Sequence, residues 1–343
     1  MRKLVALLAP AFLGLFLFAC ATSIPVTVTK PAEINMSGNR VIAVLDFRYP
    51  EKDKGFSGKD LIEWAIAKLI GVDFPKEQTT EARVADYTTS LLISTLLDTG
   101  YFQLVSPRQV AQAMRGSIST STTPVDIGRA VDAQAIINGE LYLLDSDDET
   151  WVDTVETTDP NTGAEVKQIV AMISRQAWVG MTYQVINTKT GQIVASRSFK
   201  GDEKRETEQA KRHTLPPAEE MYKDIIEDFM PMIAKQLAPY QVRESRTLMR
   251  DKTDDSRMEQ ADELVKGRIY DTALEIFLDV WDDNRNPAAG FNAAILFEIT
   301  GDLDTAIEQM NEVIRVTGEK KAMREYNRLL ESREERERLR EQL

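Results

Sequence analysis

One cysteine, Cys20, and one histidine, His213, are the only side chains of their kinds in this 343-residue sequence. They are the nucleophile and the base that covalent or acid–base catalysis would ask for. His213 lies in a charged stretch ahead of Pro216 and Pro217, the setting of a solvated ring. No Ser-His-Asp set, metal-ligand spacing or phosphate-cradling glycine loop can be assembled around it. Asp145, Asp147, Asp148 and Glu149 would attract a divalent cation. The EF-hand spacing with its central glycine is absent there, and a solvated acidic turn is the simpler reading. Trp151 and Trp178 flank this segment; an exposed aromatic would mark contact with a partner, and core packing is the default. The expectation is a protein that is not an enzyme, with no catalytic residues, no cofactor, no metal and no small-molecule substrate.

Cys20 has another chemistry open to it. Arg2 and Lys3 precede an apolar run from Leu4 to Phe18, and Ala19 stands just before the cysteine. This is the layout of a secretory signal: a basic start, an apolar stretch and a small residue at the cut. The run is shorter than the ~20 residues of a spanning helix. Leu17-Phe18-Ala19-Cys20 resembles the lipobox of bacterial lipoproteins, whose cysteine receives diacylglycerol before the signal is removed. The resemblance implies a lipidated Cys20 at the mature N-terminus, held by two or three acyl chains. The alternative is an ordinary signal with an incidental cysteine. Ala21 rather than an aspartate favours the outer membrane in enterobacteria-like systems, so the expected place is the cell envelope, lipid-anchored on the periplasmic face of the outer membrane. No intramolecular disulfide is available to a chain with one cysteine.

The net charge of −13 argues against nucleic acid and against charge-driven binding to anionic lipid. Residues 20–39, with Thr22, Ser23, Pro25 and Pro31, read as a tether after the signal at 1–19. A domain over 40–242 follows. Arg40–Phe47 is predicted as a buried strand, and 58–71 as a helix packed on the domain. Glu81–Gly100 is predicted as an amphipathic helix with Val84, Tyr87, Leu91, Leu92, Thr95 and Leu96 on one face. A short strand over Phe102–Ser106 leads to helices at Pro107–Met114 and Asp126–Val131 and a strand at Ala135–Leu143. Asp145–Glu165 reads as an acidic loop. Val166–Ile173, Gln176–Val185 and Gln192–Phe199 read as antiparallel strands, 200–214 as a charged loop, and Pro216–Leu237 as a helix. Mixed strands and helices with an antiparallel second half point to an α+β fold, a three-layer α/β sandwich with a mixed sheet.

The series Val41–Phe47, Asp98–Val105, Ile127-Gly128, Ile136–Glu140 and Met181–Val194, behind a lipobox, resembles the curli-secretion lipoprotein (CsgG/HfaB) family and the related penicillin-binding-protein activator lipoproteins. The resemblance implies a periplasmic, lipid-anchored domain of CsgG-like fold. Some members form rings that secrete protein through inserted hairpins, and others only bind and regulate partners. A pore would need lipid-facing apolar alternation near 145–178 and after Phe199. Asp145, Asp147, Asp148, Glu149, Asp153, Glu156 and Asp159 occupy the first place, and 200–211 is mostly charged. On the lipid face of a barrel strand a charge at mid-bilayer costs ~2–4 kcal/mol for Lys or Arg and less for Asp or Glu. The expected function is an accessory or adaptor protein of an envelope assembly or secretion machine, with envelope proteins or further copies of itself as partners; the alternative is an oligomeric secretion channel.

After a linker at 243–256, a helical pattern repeats over 257–317. Met258 matches Phe291, Ala261 matches Ala294, Leu264 matches Phe297, Ala273 matches Ala306, Phe277 matches Met310 and Val280 matches Val313, each 33 positions on. This resembles tetratricopeptide repeats, forming a small all-α domain. A charged helix over 318–343, with Met323, Tyr326, Leu329 and Leu330 on one side, would cap it. The repeats read either as a partner-binding groove or as a packing appendage. Tyr270, Phe291, Phe297 and Trp151 are the candidate partner-binding residues.

Overall fold

The computed structural model describes residues 22–49, 79–116, 123–158 and 163–343. The signal run with Cys20, the helix expected at 58–71 and the turn at Asp159-Pro160-Asn161 lie outside the described residues. The chain divides into two compact units. One is Lys30–Tyr240 with Arg338–Leu343, and the other is the segment up to Thr29 with Gln241–Glu337.

In the first unit, Val41–Val44 (β2) has no polar residue, and such a strand needs cover on both faces. It pairs in parallel with Gln103–Leu104 (β3) and with Ala135–Thr158 (β4). β4 runs antiparallel to Glu165–Asn187 (β5), and β5 antiparallel to Ile193–Glu208 (β6). The mixed sheet has the order β3-β2-β4-β5-β6. Thr80–Asp98 (α1) and Ala218–Leu237 (α4) cover one face, where Ile42, Val44, Ile137, Val179 and Met181 meet Leu92, Leu96, Ile225 and Ile233. Pro107–Gly116 (α2) and Pro124–Ala130 (α3) cover the other, with Val110 and Ile127 against Ala43, Leu45 and Ile136. The fold is the three-layer α/β sandwich with a mixed sheet.

Several boundaries move. The segment read as an acidic loop, 145–158, continues β4, and β5 is unbroken where two strands were expected. β6 runs on to Glu208, and a 3-10 segment, Gln209–Thr214, follows it in place of the charged loop. Charged residues stay on these strands because the sheet projects past its helices, leaving Asp145, Asp147 and Glu149 exposed. The unit also starts earlier than residue 40 and takes in the end of the chain. The Gln342 side chain accepts from the Ala32 N–H at 2.8 Å and donates to its carbonyl at 3.0 Å, and the Tyr101 hydroxyl donates to the Gln342 carbonyl at 2.6 Å.

In the second unit, Ser256–Lys266 (α5), Tyr270–Asn284 (α6), Pro287–Thr300 (α7) and Leu303–Thr317 (α8) form consecutive helical hairpins, followed by Lys320–Gln342 (α9), which belongs to this unit up to Glu337. The 33-residue matches fall at equal depth: Met258, Phe291, Ala261, Ala294, Ala273, Ala306, Phe277, Met310, Val280 and Val313 are all buried, and Leu264 and Phe297 are both half-buried. Every residue of α7 from Ala288 to Leu296 is buried. A Cβ on Gly290 would come within 2.6 Å of both the Trp281 ring and Val313, so the close packing of α7 requires glycine there. On α9 the inward residues are Ala322, Tyr326, Leu329 and Leu330, while Met323 is 43% exposed. The packed stripe lies one residue before the expected one at that end, where Ala322 permits a closer approach.

The tether and the linker are both corrected in part. Ser23–Lys30 (β1) is a strand and pairs with Tyr240–Thr247 (β7). Ile24 and Val26 alternate into the core of the helical unit, and Pro25 and Thr27 face out. Period-two burial over a short, proline-containing stretch resembles a linker in composition but not in pattern.

Two close approaches set up tests of the sandwich. An added Cβ at Gly139 would lie 2.1 Å from the Phe47 ring, and one at Gly180 would lie 2.4 Å from the Tyr142 ring. Gly139→Ala is expected to destabilise the protein by ~1–3 kcal/mol through overpacking, read as a lower urea midpoint. Glu219 joins α1 to α4: Arg83 Nε donates to it at 3.0 Å and Lys223 Nζ at 2.8 Å. The hydrogen bonds from Arg83 and then Lys223 hold its carboxyl at about 2, from an ordinary 4.5. A depressed carboxylate adds stability above its unfolded value and loses it as pH falls through its folded one. Glu219→Gln should therefore have a lower urea midpoint than the parent at pH 7, and the gap should close between pH 4.5 and about 2. The pair is partly exposed, so high salt should narrow the gap as well.

Candidate functional site

β6 ends opposite Met172, and beyond that point β4 and β5 continue as a two-stranded ribbon. Pairing assigns its faces. Trp151, Asp153, Val155 and Thr157 share one face with Met172, Val170, Gln168 and Val166. Val152, Thr154 and Glu156 share the other with Ala171, Ile169 and Lys167. Val152 is 67% and Ile169 73% exposed, diagonal neighbours on that second face. Among the described residues no strand pairs with the outer edge of β4 beyond Leu141, nor with β5 from Glu165 to Ala171.

The ribbon is rigid at its root. Asp148 accepts from Arg175 Nε at 2.7 Å and Nη2 at 2.8 Å, and from Arg212 at 3.1 Å, while Arg175 Nη1 donates to the Pro216 carbonyl at 2.9 Å. The hydrogen bond from Arg175 leads the effects that hold the Asp148 carboxyl below its usual range. Asp148 thus clamps the 3-10 segment to the ribbon base. Among the described residues no cluster of three His, Cys, Asp or Glu has metal-site geometry.

The helical unit carries a cleft of about 360 Å³. Its walls are Ser245, Arg246 and Thr247 of β7, Phe291 of α7, and Lys321, Arg324, Glu325 and Arg328 of α9. Behind it, Glu298 accepts from Arg246 Nε at 3.0 Å and Nη2 at 2.9 Å, and from Arg328 Nη1 at 2.8 Å. Arg246 also pairs with Glu244 at 2.8 Å, and Arg328 with Glu325 at 2.6 Å. Burial alone would raise the Glu298 carboxyl; the hydrogen bonds and charge of Arg328 and Arg246 outweigh it and hold the group below its usual range. Lys321 and Arg324 form no ion pair among the described residues, and the Lys321 ammonium sits 5.4 Å from the Phe291 ring centroid.

Of the four candidate partner-binding residues, Trp151 belongs to the α/β unit and Tyr270, Phe291 and Phe297 to the helical unit. Trp151 is half-buried on the ribbon, with Lys204 Nζ 5.3 Å from its ring centroid. Phe291 is 2% exposed and floors the cleft, so it is a core residue and not an open anchor. Tyr270 and Phe297 are half-buried against the helical core. His213 is exposed in the 3-10 segment. Sequence reading missed Arg246 and Glu298. The available signal was a lone carboxylate in the apolar helix Phe291–Thr300, which demands a buried cation nearby.

No family model matches the chain, and no curated protein does. Solved structures with partial likeness include a PelC dodecamer from Paraburkholderia phytofirmans, 13% identical over 63% of this chain and 99% of that one, with a TM-score of 0.28. The LpoB C-terminal domain from Escherichia coli is 14% identical over 48% of this chain and 82% of that one, TM-score 0.23. A minor lipoprotein from Acinetobacter baumannii is 9% identical over 58% and 92%, TM-score 0.25.

Glu298→Gln removes the charge shared by two arginines, one of them, Arg246, only 5% exposed. Breaking a buried pair from one side typically costs ~3–5 kcal/mol. The remaining partners Glu244 and Glu325 place the expected loss near ~3 kcal/mol, measured as a shift of the thermal transition of the helical unit.

Proposed function

We propose that this chain is a non-catalytic, lipid-anchored adaptor of the bacterial cell envelope, held through Cys20 on the periplasmic face of the outer membrane and docking on a larger assembly through protein–protein contacts. The observation that carries the reading is the ribbon: an arm clamped at its root, its strand edges unpaired among the described residues and Val152 and Ile169 largely exposed. Single exposed apolar residues are ordinary on a surface, but paired ones on an unpaired ribbon mark a place where another chain adds contacts. Exposed, unpaired edges favour strand addition by a partner, and the apolar side chains on either face supply the contact area. The lipobox resemblance supports the anchor, and no described helix is long and apolar enough to cross a membrane. The helical pairs supply a further surface, in the manner of tetratricopeptide-like repeats.

Crosslinking in intact cells followed by purification tests the reading. The parent should capture a defined envelope protein, and Val152→Asp/Ile169→Asp should lose most of that product while Cys20→Ser releases the protein from the membrane fraction. Unchanged crosslinks in the ribbon variant would remove the support for docking. Rings with single-channel conductance from detergent-extracted protein would establish the secretion channel instead.

A further inference from the structure

We propose that the cleft between β7 and α9 is a binding site for a carboxylate-rich polypeptide segment of a partner protein. The site lies wholly in the helical unit and is independent of what the ribbon binds. Four cations line it, in a chain whose net charge is −13. Two of them, Arg246 and Arg328, are already matched by Glu298, Glu244 and Glu325 and are fixed in place by those bonds. The other two, Lys321 and Arg324, stand at the mouth without a carboxylate partner among the described residues. The Lys321 ammonium lies 5.4 Å from the Phe291 ring centroid, within cation–π range. The cleft therefore presents two cations without carboxylate partners among the described residues beside an ion network whose own charges are already matched.

Spacing identifies the shape of the ligand. Lys321, Arg324 and Arg328 fall at i, i+3 and i+7 on α9, on one side of the helix. At 1.5 Å per residue they span ~10 Å, the length of about three extended residues. Acidic side chains at alternate positions of an extended segment would meet successive cations. Ser245 and Thr247 form the opposite wall. A nucleic acid fits poorly, because the protein's overall charge opposes a polyanion of that density.

The test uses the full-length protein in detergent and a fluorescein-labelled octapeptide of alternating glutamate and alanine, followed by polarisation. Binding should weaken on raising salt and fall about ten-fold or more for Lys321→Glu/Arg324→Glu. Lys321→Gln/Arg324→Gln should move it the same way by less, with an unchanged thermal transition showing that both variants fold. The glutamine–alanine octapeptide should bind at least about ten-fold more weakly than the acidic one. Val152→Asp/Ile169→Asp should leave peptide affinity unchanged, which separates this site from the ribbon. No binding to the parent, equal affinity for the two peptides, or full affinity in the charge-reversed variant would overturn the proposal. Displacement by inorganic phosphate at the peptide's own concentration would overturn it too, by making the cleft a site for small free anions.

Discussion

Burial of Val41–Val44 on both faces is the constraint from which the α/β unit follows. Four apolar residues in a row cannot divide themselves between core and water. Ile42 and Val44 build one core with α1 and α4, and Ala43, together with Leu45, builds another with α2 and α3. β3 and β4 each return by a helical crossover and so run parallel to β2 on either side of it. The antiparallel half needs no such crossover. It is free to lengthen past the covering helices, and the ribbon is the result.

The helical unit solves a different problem. Its central helix, α7, is apolar nearly throughout and is buried on every side near its start. Glu298, near the other end, brings a charge into that setting, and two arginines from β7 and α9 converge on it. A buried triad of this kind contributes little net stability against an apolar alternative, but it penalises any packing that leaves one member alone. Here it fixes β7 and α9 relative to α7 and so shapes the cleft.

The sandwich could be read in the sequence because its signals are local and strong: an apolar run for β2, a one-sided stripe for α1, and Met221, Ile225, Phe229 and Ile233 for α4. The helical hairpins could be read from the 33-residue matches, where burial recurs with the period. What escaped was long-range. β1 and β7 carry proline or many charges, and only their partner and the core beneath show them to be strands. The acidic residues of β4 read as a loop because strand composition is usually judged by burial, and that part of the strand has no fully buried residue. Arg246 has the composition of linker charge, and its partner Glu298 lies 52 positions away in sequence.

The ribbon carries its charges in a telling arrangement. Asp153 lies between Trp151 and Val155 on one face, and Glu156 pairs across to Lys167 on the other, at 3.7 Å and largely exposed. An ion pair that open adds almost nothing to stability. Its effect falls on encounters with other molecules instead. A ribbon with β-branched side chains and edges unpaired among the described residues is a template for indiscriminate strand pairing, and charges set between the apolar residues make each misregistered stack bury an unpaired carboxylate. Those charges thus act as gatekeepers on an exposed arm, disfavouring strand stacking that would leave a carboxylate buried and unpaired.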